Sequence, residues 1–382
     1  MDFALTPEQS QLKADTAEFA RAELGADLIA RDRTQHFDRD GWDRCGLRGI
    51  LALPIPREWG GRGEDPVTTV AALEGLGYGC RDNGLWFSIN AHLWGCAIPV
   101  LTFGTDAQRR AYLPRLASGE WIGALAMSER EAGSDAYSLK TLARRDGDHY
   151  VLNGSKLFIT NGPIADLMVV LTTVDPARGA RGITAFLVER GTPGIEVGPP
   201  VEKMGLRTVP MGELHLHDCK LAATQRLGEE GGGFGIFAHA MEWERGFILA
   251  GAVGAMQYTL ERSRKYARSR RQFGKPIGGF QLVSSKIVDM QMRLETSRLL
   301  LYKVAALKAA QRPAILEAAM AKLHISEAWV QTCQDAMQVH GGYGYLTETE
   351  LERDLRDALA SRLYSGTSEI QRQIIAQWLG LG

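Results

Sequence analysis

The sequence predicts an α+β fold in three consecutive blocks: helices, then strands, then helices. Two changes of period carry that expectation. Apolar residues recur at helical spacing through the first block, and near Trp121 short β-branched runs replace them. After the glycine cluster "GEEGGGFG" (228–235) the helical period returns and holds to the end. With 382 residues, 45% of them hydrophobic, the chain can bury a sizeable core in two or three domains. The expected division is 1–119 (helical), 120–226 (a β-barrel or sandwich) and 227–382 (a four-helix bundle).

In the first block, Thr6 is placed to N-cap a helix, with Pro7 at its first position and Gln9 completing a capping box. Leu12, Phe19 and Leu24 follow at roughly helical spacing. "GWDRCGLRGILALPIPREWGG" (41–61) reads as a helix closing into a Pro/Gly-rich loop, and "EDPVTTVAALEGLGYG" (64–79) as another helix. "DNGLWFSINAHLWGCAIPVLTFG" (82–104) reads as a buried helix and "DAQRRAYLPRLASGE" (106–120) as a short amphipathic one. The strand runs are "HYVLNGSKLFITNG", "DLMVVLTTV", "GITAFLVER" and "GELHLHDCKL". Asn-Gly, Asp-Pro and Thr-Pro-Gly signals separate them, as in a mostly antiparallel sheet. "FAHAMEWERGFILAGAVGAMQYTLERSRKYARS" (237–269) reads as one long helix, "SSKIVDMQMRLETSRLLLYKVAALKAAQ" (284–311) as a second, and Pro313 precedes a third.

Several classes are disfavoured. Forty-four basic residues nearly cancel forty-five acidic ones, so no nucleic-acid-binding surface is expected. Cys45, Cys80, Cys96, Cys219 and Cys333 form no C-x-x-C pair, which argues against a disulfide framework or a zinc site. His215 and His217 alternate on one strand without a suitable third ligand, so no metal is expected. The N-terminus lacks the pattern of a signal peptide, and no segment approaches the uninterrupted apolar length of a membrane span. The expectation is a soluble cytoplasmic protein. Gly233-x-Gly235-x-x-Ala238 mimics a dinucleotide fingerprint, but the preceding "AATQRLGEE" is not a buried strand.

Two segments carry the chemistry. "AMSEREAGSDAYS" (126–138) offers exposed N–H groups and hydroxyls to an anion or a heterocycle edge, although alone it reads as a polar loop. "QVHGGYGYLTETELERDLRD" (338–357) places three glycines between helices, which alone reads as a tight turn. Together with "LFITNG", "RRQFGKPIGGFQ" and "GTSEIQR", they make the whole chain resemble the acyl-CoA dehydrogenase superfamily of FAD enzymes. The resemblance implies a homotetramer, a dimer of dimers. It implies that Met127, Ser128, Gly133 and Ser134 lie along the flavin and its linker, with Phe158 and Thr160 over the flavin. Thr367 and Glu369 would meet the dinucleotide. Arg270, Gln272 and Phe273 would reach the pyrophosphate and adenine from a neighbouring subunit, with Gln338, Gly341 and Gly342. The other cations between Arg262 and Arg271 read as a solvated helix end.

The family's reaction removes a proton α to a thioester carbonyl while the β hydrogen leaves as hydride to flavin N5. Most relatives carry a glutamate just before the Gly-Thr of the C-terminal motif, and this chain has Ser365 there. A serine hydroxyl is too weak a base for that proton. The family's alternative position, on the first helix of the C-terminal domain, matches Glu244 of "MEWERG". Glu244 shares a helix face with Phe237, Met241, Ile248, Gly251 and Ala255, so a raised pKa is expected there. Glu242 is the competing acid, about 160° away around the helix. A pairing of Glu244 with Arg245 or Arg264 is the plainer alternative. Ser365 and Gly366, with Arg245, are expected to bind substrate, the Ser365 N–H holding the thioester carbonyl with a ribityl hydroxyl of the flavin.

Relatives with the base on this helix include isovaleryl-type acyl-CoA dehydrogenases. "CRDNGLWFSINAHLWGCAIPV", "LFITNGPIADLMVV", "MEWERG" and "SRLYSGTSEIQRQIIAQWLGLG" resemble more closely the prolyl-carrier-protein oxidases. Those enzymes convert a prolyl thioester on the phosphopantetheine of a carrier protein to the pyrrole-2-carboxyl thioester. A prolyl ring is branched at Cα, which suits the smaller side chain of Ser365. Another carrier-bound acyl group, or an acyl-CoA, is the alternative substrate, and oxygen or an electron-transfer flavoprotein the electron acceptor.

Overall fold

The computed structural model describes residues 4–381, and its elements fall in the expected order. The first block holds α1 (Pro7–Glu23), α2 (Leu28–Thr34), α3 (Arg39–Leu47), α4 (Pro66–Gly79), α5 (Asn83–His92), α6 (Ile98–Phe103) and α7 (Asp106–Ser118). The capping box forms as read: Thr6 Oγ1 accepts from the Gln9 N–H at 3.2 Å, and Gln9 Oε1 accepts from the Thr6 N–H at 3.0 Å. Between α5 and α6 the chain passes through a π-helical turn, Leu93–Ala97. The whole run Asn83–Phe103 has the length and apolar composition of a membrane span, against the expectation that no segment does. Its apolarity has another cause: Trp86, Ile89 and Trp94 are buried in the helical core, and Cys96 and Val100 where the helices meet the sheet.

The middle block is an eight-stranded sheet: β1 (Gly123–Ala126), β2 (Leu142–Asp146), β3 (His149–Thr160), β4 (Leu167–Thr173), β5 (Ile183–Glu189), β6 (Ile195–Val197), β7 (Met211–Ala222) and β8 (Arg226–Leu227). The order is β6-β7-β3-β2-β4-β5-β8, with β1 parallel to β4; only β2 with β4 is otherwise parallel. Alternation along β4 divides the core. Leu167, Val169 and Leu171 face the helices with Phe237 and Met241, while Met168 and Val170 pack with Tyr150, Phe186 and Leu214 inside the sheet. Asn153-Gly154, one of the Asn-Gly signals, is a bulge within β3 rather than a turn. Gly154 sits at φ +145°, where an added Cβ would lie 2.7 Å from the Thr141 Cα. Asn161-Gly162 does leave the strand. The two-residue β8 shows that strand structure precedes Gly233, but it pairs antiparallel with β5, which is not a nucleotide-binding strand-turn-helix unit.

The last block comprises α8 (Gly233–Phe247), α9 (Ala250–Ser269), β9 (Arg271–Gln272), β10 (Lys275–Pro276), α10 (Gln281–Ala309), α11 (Ile315–His340), α12 (Leu351–Ala360) and α13 (Ser368–Trp378). The single helix expected over 237–269 is broken at Ile248–Leu249, where Leu249 leaves helical geometry at ψ +12°. Two close contacts flank the break. A Cβ on Gly246 would lie 2.8 Å from Val304 of α10, and one on Gly251 would lie 2.6 Å from the Trp86 ring. The chain turns between them to satisfy both. Ionic contacts join the blocks: Arg81 pairs with Asp354 at 2.7 Å, and Asp357 accepts from Asn83 and from the Leu206 N–H.

Candidate active site

Helix α8 carries both candidate acids, and the structure separates them. Glu242 Oε1 accepts from Lys308 Nζ at 3.1 Å and from the Ala314 N–H at 2.8 Å, which ties it to the junction of α10 and α11. Glu244 points to the meeting of the three blocks. Its Oε1 accepts the Ser365 hydroxyl at 2.5 Å. Its Oε2 faces the π-helical turn, where a Cβ on Gly95 would lie 3.9 Å from it and 3.0 Å from Leu125 of β1. Among the described residues Glu244 forms no ion pair, so the pairing with Arg245 or Arg264 does not occur. Burial raises its pKa above the ordinary carboxylate value; the Ser365 hydroxyl, Arg245 and Lys322 pull the other way without cancelling it. A carboxylate raised in this way has the property a general base needs.

The segment Ser365–Gly366 is built to turn its N–H groups outward. Both residues are left-handed, at φ +56° and +88°. Their carbonyls are drawn inward: Ser365 O accepts from Arg245 Nε (3.2 Å) and Gln371 Nε2 (3.1 Å). Gly366 O accepts from Lys322 Nζ (2.8 Å) and Gln371 Nε2 (2.9 Å). The N–H groups of Ser365 and Gly366 find no acceptor among the described residues, which leaves them to a ligand oxygen. Arg245, expected to bind substrate, donates its Nε–H to this loop. Lys322 was not singled out from the sequence. Its side chain is buried, and burial with the nearby Arg245 pushes its pKa down to about 7. A lysine on the apolar face of "AAMAKLH" is the signal that marks it.

One prediction follows at once. The Ser365 hydroxyl favours the ionised form of Glu244, so Ser365→Ala should raise its pKa further. The acid limb of the rate–pH profile should move to higher pH, with a loss of about ten-fold at the acid end and an unchanged plateau. A profile that drops uniformly would show that the hydroxyl acts elsewhere.

Two distant segments form a second wall. Met127 and Ser128 leave β1, and the Leu157 N–H of β3 donates to Ser128 O at 2.9 Å. Lys156, fully buried and also missed in the sequence, donates to Met127 O at 3.1 Å and to Glu129 Oε1 at 2.8 Å. Glu129 further accepts from the Thr141 hydroxyl and from the N–H groups of Lys140 and Thr141. This anchors the loop that carries exposed Gly133 and Ser134. Beyond it, Phe158 holds its ring in solvent at 60% exposure with φ +61°, and Thr160 lies two residues on. Thr367 N-caps α13 through its hydroxyl to the Ile370 N–H, with Glu369 in the first turn. Tyr137 closes the loop onto α8, its ring centroid 4.8 Å from that of Phe234.

A third group gathers apart from these. Arg270, Gln272, Gly341 and Gly342 line one open cleft of about 530 Å³ with Tyr266, His340 and Tyr343. The Arg270 guanidinium lies 5.9 Å from the Tyr343 ring, and Tyr266 stacks on His340 at 4.3 Å. Gln338 is exposed at the end of α11, and Phe273 is 92% exposed on the β9–β10 hairpin. Among the described residues no group of three His, Cys, Asp or Glu is arranged to hold a metal.

The acyl-CoA dehydrogenase N-terminal, middle and C-terminal domain families match residues 6–120, 124–219 and 231–380. The chain belongs to the acyl-CoA dehydrogenase family. It is 41% identical to an L-prolyl-[peptidyl-carrier protein] dehydrogenase of Pseudomonas fluorescens over 382 residues, the full length of both chains. The crystal structure of the prolyl acyl carrier protein oxidase AnaB superposes with a TM-score of 0.98 at 54% identity, over 99% of this chain and 100% of that one. The structure of PigA with FAD and proline gives a TM-score of 0.97 at 40% identity, over the full length of both.

An acyl-CoA dehydrogenase is an FAD-dependent oxidoreductase acting on CH–CH bonds, and the walls described here suit that cofactor. An aromatic ring held in solvent at positive φ matches a planar heterocycle, and an arginine over an open cleft, with only the Tyr343 ring beside it, matches a pyrophosphate.

Proposed function

We propose that this acyl-CoA dehydrogenase oxidises a prolyl thioester carried on the phosphopantetheine of a carrier protein, with Glu244 as the α-proton base. The observation that carries the reading is the 2.5 Å bond from Ser365 to Glu244. The usual position of the base holds a hydroxyl that orients a carboxylate supplied from α8. The Ser365 N–H holds the thioester oxygen as negative charge develops on it. Glu244 takes the Cα proton, and a carbon–carbon double bond forms between Cα and Cβ as the β hydrogen leaves with its electron pair. FAD, when bound, supplies the acceptor for that hydride. A second two-electron oxidation completes the pyrrole-2-carboxyl thioester, with oxygen or an electron-transfer flavoprotein as the final acceptor.

Met127, Ser128, Gly133, Ser134, Phe158 and Thr160 are assigned to the flavin and its linker, and Thr367 and Glu369 to the dinucleotide. Arg270, Gln272, Phe273, Gln338, Gly341 and Gly342 are assigned to the FAD of a neighbouring subunit. The openness of their cleft in a single chain supports that sharing. So does α10, where Val288, Met292 and Leu299 expose an apolar stripe along one helix face, as a dimer of dimers would use. The identity to prolyl-carrier enzymes over the full chain supports the substrate, and the serine at position 365 leaves room for a ring branched at Cα.

Anaerobic mixing tests the substrate class. Prolyl-loaded carrier protein should bleach the bound flavin within a single turnover, while isovaleryl-CoA leaves it yellow. Bleaching by isovaleryl-CoA alone would make this a short branched-chain acyl-CoA dehydrogenase.

A further inference from the structure

Behind the Ser365–Gly366 turn sits a cation that the reaction as described does not use. Lys322 of α11 is fully buried, and among the described residues it forms no ion pair. Its one hydrogen-bond acceptor among them is Gly366 O, at 2.8 Å. Glu327 on the same helix is taken instead by Arg362 at 2.5 Å and by the Ser368 hydroxyl at 2.7 Å. Sealing an amine from water for a single backbone carbonyl is a costly way to stabilise a fold, which points to a task at that carbonyl. The charges around the lysine are Arg245 and Glu244 from α8, Glu327 of α11 and Glu369 of α13. A primary amine donates with or without its extra proton, so the bond to Gly366 O persists as the pH changes.

We propose that Lys322 is a positioning residue for the oxidation: by holding Gly366 O it locks the Gly366–Thr367 peptide and keeps the N–H groups of the turn aimed at the thioester oxygen. This rests on the reading that sets that oxygen on the Ser365 N–H. In a trans peptide the carbonyl and the N–H point opposite ways, so a carbonyl fixed inward fixes the next N–H outward. Arg245 and Gln371 do this for the Ser365–Gly366 peptide, and Lys322 and Gln371 for the Gly366–Thr367 peptide. The N–H groups of Ser365, Gly366 and Thr367 accordingly find no acceptor among the described residues. Consecutive N–H groups in such a turn form a concavity for an oxygen that gains negative charge. Glycine is required at position 366, where φ is +88° and an added Cβ would lie 2.8 Å from Gln371 Nε2. The freedom of a glycine would also let its peptides rotate, and a held carbonyl on each side removes that freedom. Lys322 stays behind the turn and acts through it, so its burial is what the role needs.

The test combines a carbonyl vibration with a rate. The pyrrole-2-carboxyl thioester of N-acetylcysteamine, isotopically labelled at the carbonyl carbon, is bound to the holoenzyme and its C=O band followed by infrared difference spectroscopy. In the wild type the band should lie below its position in water, because fixed N–H donors polarise the carbonyl. In Lys322→Met most of that displacement should be lost. The limiting rate of anaerobic flavin reduction by prolyl-loaded carrier protein should fall about ten-fold in the same variant. The half-saturating concentration should change little, since the N–H groups act as charge develops on the oxygen. Lys322→Gln, which keeps a donor, should lie closer to wild type in both measurements. A Lys322→Met enzyme with the wild-type band and limiting rate would overturn the proposal. So would a slow variant whose band has not moved, because the lysine would then serve stability alone. A wild-type band at its position in water would overturn the reading of the Ser365 N–H on the thioester oxygen, and this proposal with it.

Discussion

Glu244→Gln should retain FAD and fold normally, yet its flavin should not bleach when prolyl-loaded carrier protein is added anaerobically. The amide keeps the shape and still accepts the Ser365 hydroxyl, but it has no basicity. General-base contributions are about 10²–10⁴-fold, and the upper end applies where no second base is present. Among the described residues none is placed to substitute. Glu242 is committed to Lys308 and the Ala314 N–H, and Ser365 is too weak an acid to yield an alkoxide near neutral pH. The matching control is Glu242→Gln, which should lower stability modestly and leave flavin reduction near wild type. If Glu244→Gln bleached at the wild-type rate, the base would have to lie elsewhere. Flavin reduction in the wild type should rise with pH through the raised pKa of Glu244, because only the ionised carboxylate takes the proton.

The second large effect is on the wall assigned to the flavin. Lys156→Met removes the cation that pairs with Glu129 and the donor to Met127 O, both inside the protein. Glu129 is half-buried and keeps the Thr141 hydroxyl and two N–H donors, so losing the cation and the bond to Met127 O costs about 1–3 kcal/mol. The expected result is a lower melting temperature and a protein that loses its yellow colour on gel filtration. Adding Glu129→Gln to Lys156→Met should recover part of the stability, since no uncompensated charge then remains. A single variant that melts like wild type and retains FAD would show that the pair is not what holds the loop.

The order of blocks was legible because burial imposes periodicity: α10 and α11 read at period 3.6, β4 and β5 as continuous β-branched runs. The burial of Glu244 was legible from the apolar face it shares, while its choice as base came from the family resemblance. What periodicity does not carry is direction within an element. The stretch 237–269 keeps a helical pattern straight through Ile248–Leu249, and only the tertiary contacts of Gly246 and Gly251 force the turn. The bulge at Gly154 is hidden for the same reason, because a register shift alters the partner strand and not the local alternation. Lys156 and Lys322 escaped notice because their roles depend on where their ends arrive. A lysine in a strand or helix normally reaches solvent, and these two end on the carbonyls of Met127 and Gly366 instead. The cleft around Arg270 joins two motifs that only the family resemblance brought together in the sequence, and α9 and α11 place them side by side.

Intact-mass spectrometry of the carrier protein addresses the substrate claim most directly. Prolyl-loaded carrier incubated with the holoenzyme in air should lose four mass units, two for each two-electron oxidation on the way to the pyrrole. The same incubation with Glu244→Gln should leave the mass unchanged. A prolyl-loaded carrier that keeps its full mass in the presence of active, FAD-loaded enzyme would contradict the account.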